Sequence, residues 1–251
     1  MENNPFSLKG KYILVTGATS GIGRACAVAC AQMGASVIAT GRNSERLHET
    51  LSLLGEGDHR GISADLTHEE DVARLARECP VLQGVVHSAG IGDRTLLKMA
   101  RQKDIDRVMK ANFEAPVLLQ RALLKAKLIE AGASIVFIAS RAPFAPAVGN
   151  GIYAASKGAL LAYAKVLALE LSDRLIRVNS ICPAMVWTEL VSRDAELTGA
   201  DYSEKEKEYP LKRFGKPEDV AYLAVYLLSD ASQWMTGSNI DLTGGGELTL
   251  K

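Results

Sequence analysis

The chain is 251 residues long and 47% hydrophobic, and its 29 basic and 29 acidic side chains leave a formal net charge of +0. That length can bury a sizeable core in one domain, and the neutral balance argues against nucleic acid or an anionic membrane as the main partner. No run reaches the roughly 18 apolar residues of a membrane span, and Met1-Glu-Asn-Asn-Pro5 lacks a leader's basic start and apolar stretch, so a cytoplasmic location is expected.

The first predicted element is a strand over 12–16, Tyr-Ile-Leu-Val-Thr, apolar and β-branched as a buried parallel strand is. It runs directly into Gly17-Ala-Thr19-Ser20-Gly21-Ile22-Gly23-Arg24, and an Ala- and Cys-rich helix is expected over 21–33. Glycines between a strand and a helix permit a tight turn, let the backbone approach a pyrophosphate and allow close packing. The helix N-terminus presents free N–H groups to the anion. The spacing differs from G-x-G-x-x-G; the placement between strand and helix is what marks a dinucleotide loop. Strands over 36–40, 60–64 and 83–87 then alternate with helices over 43–54, 68–78 and 101–129. A strand over 133–139 ends at Ser140, a helix over 152–172 opens on Tyr153-Ala-Ala-Ser-Lys157, and 175–181, 217–229 and 238–242 follow as strand, helix and strand. This alternation predicts a single α/β domain, a doubly wound parallel seven-stranded sheet with helices on both faces. The segment 184–214 breaks the rhythm, being longer and more polar, with Trp187, Tyr202, Tyr209 and the charge run Ser203-Glu-Lys-Glu-Lys-Glu208. It follows the C-terminal end of a strand, where open α/β sheets bind ligands, and is expected to form a substrate lid, with the charge run as a solvated helix face. Cys26, Cys30, Cys79 and Cys182 have no companion at metal-ligand spacing and are expected as buried thiols, so no metal is assigned.

Tyr153 and Lys157 share one helix face at i, i+4. A cation beside a phenol favours the phenolate and is expected to bring a group of pKa about 10 towards the working range of a general acid/base. With Ser140 thirteen residues upstream, the three side chains form a device for moving a proton to or from a carbonyl oxygen.

With these motifs in this order, the chain resembles the short-chain dehydrogenase/reductase family over nearly its whole length, which implies a Rossmann fold. Thr16-Gly17-x-x-x-Gly21-x-Gly23 looks like the family's cofactor loop, with contacts implied from Thr19, Ser20 and Ile22 as well as the glycines. Ser140, Tyr153 and Lys157 look like its catalytic centre, and Asn112 in Met109-Lys-Ala-Asn-Phe113 matches the asparagine that completes the tetrad. Tyr153 and Lys157 are implied as cofactor contacts too. Asp65, with Leu66 after it, matches an adenine-contacting aspartate; it serves equally as a helix N-cap. His87-Ser88-Ala89-Gly90 stands where the family usually has Asn-Asn-Ala-Gly or Asn-Ala-Gly, which leaves Ser88, Ala89 and Gly90 as backbone contacts and His87 as a structural residue. Pro183-Ala184 replaces the usual Pro-Gly, and Pro183, Val186 and Thr188 are the contacts implied near the nicotinamide.

Gly41 fills the position where NAD-preferring relatives usually carry a carboxylate against the ribose 2′-hydroxyl. Arg42 beside it offers a guanidinium fork to a 2′-phosphate or else begins a solvated helix. The expected cofactor is NADP(H), with NAD(H) the alternative. The resemblance implies reduction of a ketone or aldehyde and the reverse oxidation of an alcohol, with Tyr153 as proton donor, Ser140 orienting the oxygen, and Lys157 lowering the tyrosine pKa and holding the ribose. Asn112 then anchors a water leading to solvent. A 3-oxoacyl-carrier-protein reductase is the alternative. It would need basic residues at the active-site mouth to meet an acidic partner, and Arg174 stands at one expected place while Glu130 fills the other. A cofactor-sensing regulator would be expected to lack part of the tetrad. Arg141 is a candidate for an acidic small substrate or for a surface salt bridge, and Trp187 in the lid is a candidate substrate contact. Leu118, Leu119, Leu160, Leu161 and Leu167 exceed one sheet-facing stripe and, with the family's habit of pairing these helices, suggest a homotetramer.

Overall fold

A computed structural model describes residues 4–199 and 201–246. The strands β1 (Tyr12–Thr16), β2 (Ser36–Gly41), β3 (Arg60–Ser63), β4 (Leu82–His87), β5 (Ile129–Ile138), β6 (Arg177–Pro183) and β7 (Asn239–Leu242) form one sheet in the order β3-β2-β1-β4-β5-β6-β7. Every pairing is parallel. The crossovers carry α1 (Gly21–Gln32), α2 (Ser44–Ser52), α3 (Glu69–Glu78), α4 (Gln102–Met109) with α5 (Ala115–Lys125), α6 (Gly151–Glu170), and finally α7 (Glu189–Thr198), α8 (Tyr202–Glu208) and α9 (Pro217–Leu228). Strand order reverses between β1 and β4, which opens a crevice at their C-terminal ends.

Because successive strand side chains face opposite ways, each central strand feeds two cores. Leu14, Ile38, Val85, Ile135 and Phe137 point to the face covered by α3, α5 and α6. Ile13, Val15, Val37, Val86 and Val136 point to the face covered by α1 and α9. All four cysteines are buried and free. Burial pushes the Cys26 and Cys79 thiols up to about 12 and Cys182 to about 11.

The structure departs from the expectations in four places. The helix expected over 101–129 is broken by a π turn at Lys110–Glu114, ends at Lys125, and gives way to β5 after Lys127 turns left-handed at φ 58°. Leu124-Lys-Ala-Lys-Leu128 is rich in helix formers, which hid that boundary. The polar segment 184–214 contains two helices; the charge run is the solvated face of α8, anchored by Tyr202 at 4% exposure, while α7 was not anticipated. By length and composition α6 could cross a membrane, contrary to the expectation that no segment could. Its Leu160, Ala164, Leu167 and Ala168 pack into the sheet's core instead. Finally, Leu119, Leu160, Leu161 and Leu167 are buried within the chain, so the apolar residues that α6 presents outward are Val166 and Leu169.

Candidate active site

The end of β1 and the turn after β4 are tied together by one hydroxyl. Thr16 Oγ1 accepts from the N–H groups of Ser88 and Ala89, each at 3.0 Å. Gly17, at φ +65°, follows; a Cβ there would lie 2.9 Å from Ala89 Cα. A Cβ on Gly23 would lie 2.2 Å from the Gly17 carbonyl oxygen. Only glycines allow strand, turn and helix to meet this closely. Ser20 caps α1 in an extended conformation without a side-chain hydrogen bond, and no acid stands in the helix's first turn. The N-terminal N–H groups are therefore presented to an anion, and the residues fit a dinucleotide pyrophosphate. Arg24 fastens the loop from behind, donating to the Thr19 carbonyl at 2.7 Å and to Thr50 Oγ1 at 3.0 Å. The Thr188 methyl group lies over Gly21, 3.3 Å from where a Cβ would be. Arg46 on α2 reaches Glu189 at the start of α7 at 2.8 Å, so α2 and α7 meet beside the glycine loop.

After β2, Arg42 is 69% exposed and lies 3.8 Å from Asp65. Asp65 accepts from the Thr67 N–H at 3.0 Å and its hydroxyl at 2.7 Å, so it closes a local turn, and the N-cap of α3 is His68. Burial would raise the Asp65 carboxyl, but these two hydrogen bonds and the Arg42 charge hold it below its ordinary value. Leu66 is buried behind it, and Ile22 is half-buried on α1.

Of the four proton-handling candidates, Asn112 and Lys157 meet beside Gly90, and Ser140 hydrogen-bonds Tyr153. Asn112 sits, fully buried, in the π turn, a distortion common at functional sites. Its Oδ1 accepts from the Ile91 N–H at 2.8 Å, and its amide donates to the Ile91 carbonyl at 2.9 Å and to Ser156 Oγ at 3.1 Å. A Cβ on Gly90 would lie 3.1 Å from Asn112 Oδ1 and 3.5 Å from Lys157 Nζ. Lys157 donates to the Ile138 carbonyl at 2.9 Å, and its Nζ lies 5.9 Å from the centre of the Tyr153 ring. Burial lowers the Lys157 ammonium to about 8. Burial also raises the Tyr153 phenol, and it outweighs the lowering by the Ser140 hydrogen bond and the Arg94 charge. This corrects the expectation that Lys157 brings the phenol down: the ammonium is turned to a carbonyl, and desolvation decides the sign.

His87, at 3% exposure, stacks on Phe137 at 4.6 Å between ring centres. Its Nε2 lies 3.0 Å from Gln120 Oε1, while its Nδ1 has no partner among the described residues. Burial lowers its pKa from 6.5 to about 4, so the folded chain holds it neutral where the unfolded chain protonates. Stability from this residue is whole above pH 6.5 and falls as the pH drops towards 4, by roughly 3 kcal/mol at about 1.4 kcal/mol per pH unit. Urea unfolding across this range is expected to show that slope in the wild type and to lose it in His87→Asn. Parallel profiles for the two proteins would assign the acid sensitivity to other groups.

The two substrate candidates, Arg141 and Trp187, both have partners within the chain. Arg141 pairs with Asp241 at 2.7 Å and stacks on Phe144 at 4.7 Å, which favours the salt-bridge role. Trp187 donates to Glu206 at 2.6 Å and packs with Tyr202 and Phe214 in an aromatic cluster of its own segment. Pro183 and Val186 are buried at and just after the end of β6, where Val186 bridges to Gly215. Arg174 donates to the Ile129 carbonyl, beside Glu130 at the start of β5. That is the N-terminal edge of the sheet, across the length of α6 from Tyr153, and not the mouth of this chain's crevice. Arg94 was missed from sequence because a single arginine four residues beyond a glycine turn carries no motif. Among the described residues no group of three or more His, Cys, Asp or Glu could hold a metal.

A parallel sheet with a glycine loop at its switch point and a Ser-Tyr-Lys-Asn cluster beside it defines a dinucleotide-dependent oxidoreductase. A family model described as enoyl-(acyl carrier protein) reductase matches residues 17–247. The 3-oxoacyl-acyl-carrier-protein reductase of Aquifex aeolicus is 34% identical over 247 residues, covering 95% of this chain and 98% of that protein. The D-threitol dehydrogenase of Mycolicibacterium smegmatis is 34% identical over 246 residues, covering 96% and 94%. A crystal structure of a putative NAD(P)-dependent gluconate 5-dehydrogenase from Beutenbergia cavernae, with bound NADP at low occupancy, superposes with TM-score 0.88 at 34% identity, covering 98% of this chain and 100% of that one. The chain belongs to the short-chain dehydrogenase/reductase family, oxidoreductases that use a nicotinamide cofactor.

Proposed function

We propose that this chain interconverts a ketone or aldehyde and the corresponding alcohol with NADP(H), in a single domain. The observation that carries the reading is the pairing of Ser140 with Tyr153 together with the meeting of Lys157 and Asn112 beside Gly90. A nicotinamide dinucleotide, when bound, supplies or accepts the hydride. Its pyrophosphate would lie on the Gly17–Gly23 loop, its adenosine near Arg42, Asp65 and Leu66, and its nicotinamide half among Ser88–Gly90, Pro183, Val186, Thr188, Tyr153 and Lys157. Burial keeps the Tyr153 phenol protonated at neutral pH, so it can give its proton to the oxygen of a carbonyl being reduced. Ser140 orients that oxygen through its own hydroxyl. Lys157, charged below about pH 8, would hold the ribose of the bound dinucleotide. Asn112 fixes the Ile91 backbone and anchors the water by which the proton is replaced.

Two features support NADP(H) over NAD(H): Gly41 puts no carboxylate against a 2′-phosphate, and the exposed Arg42 beside it can take one. The test measures consumption of both reduced cofactors across a panel of carbonyl compounds, in the wild type and in Arg42→Ile. The ratio of kcat/KM for NADPH over NADH should fall by roughly tenfold to a hundredfold in the variant. Gly41→Asp is the poorer probe, since a Cβ there comes 2.5 Å from the Thr19 methyl group and disturbs the loop itself. A wild type that already prefers NADH, or a panel with no turnover, would sink the reading. The second reading, 3-oxoacyl-carrier-protein reductase, draws on the Aquifex relative. The distance of Arg174 and Glu130 from this chain's crevice weakens it. A cytoplasmic homotetramer, with Val166 and Leu169 of α6 against another copy, completes the proposal.

A further inference from the structure

The chain leaves β6 at Pro183 and enters α9 at Pro217, and the two ends of that excursion are joined. The Trp187 N–H donates to the Gly215 carbonyl at 2.8 Å, and the Gly215 N–H donates to the Met185 carbonyl at 2.9 Å. From the middle of the excursion α8 closes on both ends through one atom. Glu206 Oε1 accepts from Trp187 Nε1 at 2.6 Å and from the Phe214 N–H at 3.0 Å. The bond from Phe214, followed by that from Trp187, holds the Glu206 carboxyl below its ordinary value. Within the charge run 203–208 Glu206 alone is half-buried, while its neighbours there are exposed. Phe214 is 1% exposed, and its ring lies 5.4 Å from that of Trp187 and 5.9 Å from that of Tyr202. A charged acceptor shared by two donors, backed by packed rings, fixes the Trp187 side chain.

Trp187 is bonded to the residue that covers the glycine loop. Consecutive Cα atoms stand about 3.8 Å apart, so Thr188 does not move independently of Trp187. The Thr188 methyl group lies 3.3 Å from where a Cβ on Gly21 would be, and its hydroxyl accepts from the Val191 N–H at 3.4 Å as the N-cap of α7. Glu189 pairs with Arg46 of α2 at 2.8 Å. Successive residues thus hold different parts of the molecule: Trp187 holds α8, Thr188 the turn into α1, and Glu189 α2. Gly21 opens α1, whose N-terminal N–H groups are presented to an anion. We infer that Glu206 is a positioning residue for the cofactor: by holding Trp187 and Phe214 on one carboxylate oxygen it keeps Thr188 seated on the glycine loop, and so sets the affinity for the dinucleotide. This rests on the cofactor placement proposed above and adds to it a residue outside the cofactor's own contacts.

The test uses the full-length protein and the variants Glu206→Leu, Glu206→Gln and Trp187→Phe. Each is titrated with NADPH and NADH and assayed with the carbonyl panel at saturating cofactor. Glu206→Leu removes the acceptor and should raise the Kd of the tighter cofactor by roughly tenfold, as a lost hydrogen bond to a charged group allows, with kcat at saturation close to wild type. Glu206→Gln keeps an oxygen for both donors and should bind near wild type. Trp187→Phe keeps an aromatic ring and loses one donor, so its Kd should rise by less, and it decides the matter if Glu206→Leu does not fold. Trp234, fully exposed, is the other of the chain's two tryptophans. In Trp234→Phe, NADP⁺ should therefore change the Trp187 emission, and adding Glu206→Leu should remove that change. Unaltered affinities and an emission indifferent to cofactor would make Glu206 a structural residue only and leave the oxidoreductase reading standing. A Gln variant as weak as the Leu variant would also overturn the inference, since the shared oxygen would then not be what sets affinity. Glu206-dependent cofactor binding without turnover of any carbonyl would uphold the inference and overturn that reading. A wild type that binds neither cofactor would overturn both.

Discussion

Tyr153→Phe is expected to lower turnover by about 10² to 10⁴, the range for loss of a general acid, while leaving the fold and cofactor affinity near wild type. The substitution removes one hydroxyl and keeps the ring. Its known partner, Ser140, keeps its own hydrogen bond from the Ala142 N–H at 3.0 Å. Steady-state kcat should therefore collapse while cofactor titration and thermal unfolding barely move. In the wild type, the raised phenol keeps reduction going through neutral pH. The alkaline fall should begin near pH 8, because Lys157 carries its charge below about 8 and loses it above. Wild-type activity in the Phe variant would take Tyr153 out of the chemistry.

Gly23→Ala is expected to abolish cofactor binding in any measurable range and to destabilise the chain by about 1–3 kcal/mol or more. The added methyl would meet the Gly17 carbonyl oxygen at 2.2 Å, its carbon at 2.6 Å and the Thr16 carbonyl oxygen at 3.0 Å. All three are backbone atoms, so no rotamer change relieves the contact; α1 must move away from β1, and its N-terminal N–H groups leave the position in which they face a pyrophosphate. Fluorescence titration with either cofactor and urea unfolding would measure the two effects. An Ala variant that binds cofactor like the wild type would show that α1 and β1 are less tightly joined than these distances require.

What the sequence disclosed followed how locally each feature is specified. The Gly17–Gly23 loop was readable because its strand, glycines and helix are contiguous. Tyr153 and Lys157 were readable because helical spacing alone sets their face. The electrostatic balance was not: whether Lys157 or desolvation governs the phenol depends on where Ile138 offers a carbonyl, nineteen residues away. Trp187 looked like a substrate contact because aromatics in a polar segment stand out, yet Glu206 and Phe214, brought back by α8, claim it. That Arg174 and Glu130 lie at the N-terminal edge of the sheet was not readable, because the end of a strand that a residue occupies is a property of topology. The start of β5 was hidden because helix-forming residues lead into it, and the left-handed turn at Lys127 has no sequence mark of its own.

The hydrogen bonds of Asn112 have one further consequence. They join the β4 turn, the π turn and α6, while Thr16 joins that same β4 turn to β1 and Lys157 joins α6 to β5. No member of the proton-handling group is held by neighbours in its own stretch of chain alone. Contacts of such long sequence separation form late and are lost together. The group is therefore complete only when β1, β4, β5, the π turn and α6 are all in place together, and loss of any one of them is expected to remove its geometry as a whole.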